Sequence, residues 1–120
     1  MFNLNDSMRY YLYPYPTDMR KSFYTLSGVV KDLMGQDVRN GDVFIFIGRT
    51  CSSVKILHME CGGLVIYHLR LEEGQFKLSV FDEQTHTYKT TWQDVMLMVQ
   101  GIDTSNCTRR KRWNPHRKSG

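Results

Sequence analysis

Hydrophobic positions along this chain change their period several times, and each change marks an element. Arg9-Tyr10-Tyr11-Leu12-Tyr13 is aromatic and extended in character, and Pro14 and Pro16 bar a helix from growing through it, so a first strand is expected there. Met19, Phe23, Leu26, Val30 and Leu33 then recur at spacings of four, three, four and three. That is the signature of an amphipathic helix, with Thr17 or Asp18 as its cap and Gly35 as its stop.

From Gly41 to Val80 the period shortens. Val43 to Ile47 is continuously apolar, as in a strand covered on both faces, and Val54 to Met59 and Leu64 to Leu71 alternate more loosely. Phe76 to Phe81 alternates cleanly, with Lys77 and Ser79 outward. Turns fall at 49–53, 60–63 and 72–75, so an antiparallel meander is the economical topology. After a polar connector over 82–90, Thr91-Trp92-Gln93-Asp94 resembles a capping box, and Trp92, Val95, Met96, Val99 and Ile102 form a second helical stripe ended by Gly101. The pattern predicts an α+β fold in the order β-α-β-β-β-β-α: a twisted antiparallel sheet of about five strands, curling toward a partly closed barrel, with two amphipathic helices packed on it.

Charge divides the chain differently. The formal net charge of +4 comes from 16 basic and 12 acidic residues, and every acid lies before residue 104. Residues 1–103 therefore read as one near-neutral domain, and 104–120 as a basic, disordered tail with too little apolar surface to offset its ordering entropy. Three cysteines, Cys51, Cys61 and Cys107, leave an odd thiol in any pairing. With no export signal and no apolar run near the roughly 18 residues of a membrane span, a reducing cytoplasm is expected.

Cys51, His58, Cys61 and His68 have the residue types of a zinc site, but their spacing lacks the close ligand pairs of a finger or knuckle. Turn and half-buried roles explain them better, and no metal or cofactor is expected. A nuclease would need two or three acids converging on Mg²⁺. Here Asp18, Asp42, Glu72, Glu73 and Asp94 sit at element ends, where capping and turns explain them, and no activated nucleophile or phosphate loop is present in the sequence. An enzyme is not expected.

The cations carry the remaining signal. Arg49, Lys55 and Arg70 fall in or beside strands, as a solvated sheet face or a phosphate-binding one, and Arg20 with Lys21 sits where a helix dipole would not favour it. For Arg20 the alternatives are an ion pair with Asp18 and a phosphate contact. Arg109, Arg110, Lys111 and Arg112, followed by Trp113, Arg117 and Lys118, join counterion-releasing charge to an aromatic able to stack, against the alternative of a solvated terminus.

An ordered series of motifs now becomes informative: Asp18-Met19-Arg20-Lys21, Val43-Phe44-Ile45-Phe46 followed by Arg49, Val54-Lys55-Ile56-Leu57, Arg70-Leu71-Glu72-x-Gly74-x-Phe76, and Gly101-Ile102-Asp103. From about Leu12 to Asp103 the chain resembles the TnpB-type accessory proteins of insertion-sequence-66 elements, which are unrelated to the RNA-guided nuclease of the same name. It departs from them at Leu69, where the family usually carries Lys, and at His58 and Cys61, where Trp and acids are commoner. The resemblance implies a non-catalytic accessory protein for DNA transposition. Its implied partners are DNA, at element ends or non-specifically, and the element's transposase, with no membrane. The alternative is a pure protein-interaction module that docks the transposase through its sheet edge or through Tyr10, Tyr11 and Tyr13.

Overall fold

The computed structural model describes residues 4–78 and 89–100. In chain order these form β1 (Tyr10–Leu12), α1 (Phe23–Asp32), a 3-10 turn (Val38–Asn40), β2 (Val43–Ile47), β3 (Ser53–Glu60), β4 (Gly63–Arg70), β5 (Lys89–Thr90) and α2 (Trp92–Gln100). The α+β class and the order β-α-β-β-β-β-α stand. The sheet is mixed and open rather than wholly antiparallel or closed into a barrel, with strands ordered β4-β3-β2-β1-β5.

β2 is the frame, because all five of its residues are buried. It pairs antiparallel with β3, which pairs antiparallel with β4 across Cys61 and Gly62. Both turn residues have left-handed backbones, φ 52° and 82°, the geometry that suits a two-residue hairpin to strand twist. β1 lies inside the sheet, parallel to β2 and antiparallel to β5. A parallel pair cannot be joined by a tight turn, and the crossover carrying α1 makes the connection. Through the prolines the chain keeps to β2, with Tyr13 before them and Thr17 after them donating to the carbonyls of Ile45 and Ile47.

Alternation along β2 feeds two cores. Phe44 and Phe46 meet Leu57, the α1 residues Leu26 and Val30, and Met34 just beyond the helix. Val43, Ile45 and Ile47 meet Val54, Ile56, Tyr10 and Leu12, together with Phe76, Leu78 and the α2 residues Val95, Met98 and Val99. The helices thus cover opposite faces.

Two expected boundaries move. Asp18 accepts from the Arg20 backbone N–H instead of capping a helix, and α1 begins only after Ser22. Its buried positions become Leu26 and Val30, with Met34 buried just past its end, leaving Phe23 and Leu33 exposed. Gly35 ends the helix as expected, with φ 68° and Gln36 N–H donating back to Val30. The strand expected from Phe76 is not a sheet strand at Phe76–Leu78: the segment is held by Phe76 N–H donating to the Cys51 carbonyl, and β5 makes the fifth strand. Burial of Phe76 and Leu78 gives the same period of two as a strand. Its further part, Ser79 to Phe81, and the end of the second helical stripe, Gly101 and Ile102, lie outside the described residues. Thr91 does cap α2, its hydroxyl accepting from Asp94 N–H at 3.1 Å.

Tyr10 gives this core a pH signature. Its ring is 1% exposed and its hydroxyl donates to the Asn5 carbonyl, and burial pushes the phenol from 10.0 up to about 12. A raised phenol pKa means the fold holds the neutral form, so this contribution is complete below pH 10 and lost as pH rises through about 12. In an absorbance titration at alkaline pH, Tyr10 is expected to ionise last and together with loss of the fold; the Tyr10→Phe variant should lose that coupling.

Candidate nucleic-acid interface

The β2–β3 turn end of the sheet gathers basic residues from four segments. The hairpin register sets Lys55 opposite His68 and Ser53 opposite Arg70, so Lys55, His68 and Arg70 share the α1 face. Arg49 stands exposed in the turn directly after Gly48. The segment leading into α1 crosses the same end: the Met19 side chain lies against Gly48, and Lys55 Nζ donates to the Lys21 carbonyl at 2.6 Å.

Lys55 is unusual among these cations. It is 8% exposed, yet its ammonium donates to a neutral carbonyl, which occupies one of its three N–H donors. Among the described residues no carboxylate forms an ion pair with Lys55, Arg49 or Arg70. A cation held this deep without an opposite charge among the described residues keeps a desolvation cost that an incoming anion would relieve.

Arg20 is different. Its guanidinium binds Asp18 at 2.7 Å while remaining 91% exposed, and these hydrogen bonds hold the Asp18 carboxyl well below the usual carboxylate range. Arg20 therefore brings its own counter-charge to the corner. The tail candidates Arg109, Arg110, Lys111, Arg112, Trp113, Arg117 and Lys118 lie outside the described residues.

Acids with visible partners serve the fold. Arg9 Nε donates to the buried Asp42 at 2.8 Å, and Asp37 accepts from Arg39 N–H at the 3-10 turn. Glu60 Oε2 lies 3.1 Å from His58 Nδ1 and accepts from the Tyr67 hydroxyl, while His58 Nε2 faces the Gly41 carbonyl at 3.2 Å. His58 and His68 point to opposite faces of the sheet, Cys51 is buried in the α2-side core and Cys61 sits in an exposed turn. The four zinc-type residues are thus kept apart. Tyr10, Tyr11 and Tyr13 also differ from expectation: Tyr10 is buried, and the other two pack on Phe44 and Phe46, so they are not exposed docking aromatics.

From sequence, His68 suggests a metal ligand or, better, a half-buried imidazole, and not a member of the basic corner. The signal that places it with Lys55 was available in the two-residue turn at Cys61–Gly62, which fixes which residues face each other across the hairpin.

Among the described residues no helix is long and apolar enough to cross a membrane. No solved structure matches the chain. One curated relative, the "Uncharacterized protein y4hO" of Sinorhizobium fredii (strain NBRC 101917 / NGR234), is 32% identical over 60 residues, which is 50% of this chain and 52% of that protein. The chain therefore spans about half the length of the curated relative it matches. The family described as "IS66 Orf2 like protein" matches residues 8–109, taking in the whole sheet, both helices and the first arginine of the basic run. This chain belongs to the IS66 Orf2-like family, a family of transposition-associated accessory proteins rather than a known enzyme class.

Proposed function

We propose that this accessory protein acts in the cytoplasm by binding the phosphate backbone of element DNA and holding it beside the element's transposase, without cutting a strand itself. The observation that carries the reading is the Lys55 ammonium, buried without a described carboxylate partner and flanked by Arg49, His68 and Arg70. Phosphate supplies the missing charge and needs no sequence readout, which is how backbone contacts position a protein on DNA. The basic tail adds charge of the same kind.

Lys55→Met separates binding from folding. The methionine keeps the apolar stem and removes the ammonium, so urea unfolding should show stability unchanged or raised. Affinity for a short duplex at low salt should fall roughly tenfold, the worth of one charged hydrogen-bonded contact. A folded variant that binds DNA as tightly as the parent would remove Lys55 from the interface. The broader test is a salt-titrated binding assay on element ends against random DNA, with and without transposase; an intact protein with no affinity even at low salt would sink the DNA half of the reading.

A second reading is a pure protein-interaction module for the transposase. Its support is the outer surface of α1, where Tyr24 is 92% exposed beside Phe23 at 46% and Leu33 at 56%. Co-purification with the transposase after removal of the tail, lost on Tyr24→Ser, would favour it.

A further inference from the structure

We infer that His68 is a proton-linked phosphate contact of the basic corner: it takes up a proton as a phosphodiester docks beside Lys55 and Arg70, so DNA binding tightens as pH falls. The inference rests on the nucleic-acid reading above and adds a residue and a pH dependence to it.

His68 lies exposed on β4, at the outer edge of the sheet as described, so its ring can meet a ligand. Among the described residues its charged neighbours are cations. From β3 it faces Lys55, and along β4 it neighbours Arg70 on the same face. The segment before α1 contributes Lys21, whose carbonyl holds the Lys55 ammonium, and α1 turns Leu26 and Val30 to this face, with Met34 after it. Asp18, the acid of that segment, is engaged by Arg20.

Partial burial, followed by repulsion from Lys55 and Arg70, holds the imidazole below its ordinary value of 6.5. Free protein near neutral pH therefore carries His68 uncharged. An anion seated against the two cations reverses the local field and favours the imidazolium. If the bound form holds the proton more tightly than the free form, binding takes up a proton and must strengthen as pH falls. A phosphodiester stays anionic throughout this range, so the change belongs to the protein.

The test is fluorescence anisotropy of the full chain on a short duplex at fixed ionic strength, between about pH 8 and pH 5.5. The parent affinity should rise about three- to tenfold more over this range than that of His68→Gln, because only the parent takes up the His68 proton on binding. His68→Arg should bind at the upper pH about as tightly as the parent does at the lower one. In proton NMR, the His68 titration midpoint should move upward when the duplex is added. His86 and His116 lie outside the described residues, and any slope they cause survives in His68→Gln.

Equal pH slopes in the parent and His68→Gln, with DNA binding intact, would overturn the role of His68 and leave the nucleic-acid reading standing. Absence of binding at every pH would overturn both.

Discussion

Phe44→Ala is expected to cost about 3–5 kcal/mol, a large share of the 5–15 kcal/mol typical of a domain, and to leave the protein near its unfolding threshold. Phe44 is fully buried in β2, opposite Leu57 and in the cluster that holds α1. It also stacks on Tyr11, with ring centroids 5.6 Å apart and 18° between planes, so one truncation opens a cavity between sheet and helix. Urea unfolding measures the loss. Phe44→Leu, closer in volume, should cost much less, and similar costs for the two would mean that the ring is not what joins α1 to the sheet.

Removing residues 108–120 should have the largest effect on binding. That segment holds six of the chain's 16 basic side chains and no acid. If each neutralises a phosphate, the slope of log affinity against log salt should shrink by about five, with affinity falling about a thousandfold at low salt. The folded domain should melt as before. An unchanged slope would place the whole electrostatic contribution on the sheet corner, and a lost fold would give the segment a structural role instead.

These two regions differ in what sequence could say about them. β2 was legible to the residue, because five consecutive apolar side chains, all β-branched or aromatic and too few for a helix, suit a strand covered on both sides. The β3–β4 hairpin was legible through its turn. The start of α1 was not, since Asp18 offers the same side chain to a cap or to a local turn, and Arg20 decides between them by binding it through backbone and guanidinium alike. The place of β1 was hidden for another reason. Parallel pairing of Tyr10 with Val43 leaves no local mark, because nothing in a strand's own pattern names a distant partner.

For the site, the residue types were visible and their juxtaposition was not. Lys55 reads from sequence as a sheet-face cation, solvated or phosphate-binding, and neither reading foretells its burial; the Lys21 segment passes over it, a contact between positions far apart in sequence. His68 drew attention as a ligand type, although its neighbours, Lys55 and Arg70, repel any positive ion.

The central position of β1 has a consequence for how the chain is made. β3 and β4 can zip from a two-residue turn as soon as both have emerged, and β2 joins them through another local hairpin. β1 is synthesised first, but it can dock only once β2 is in place and the intervening α1 segment has been laid across the sheet. Until then the free edge of β2 presents five apolar residues with unpaired backbone groups to any neighbouring chain. The interval between completion of the hairpins and arrival of β1 is when a nascent or refolding molecule is most open to self-association, and closure of that crossover ends it.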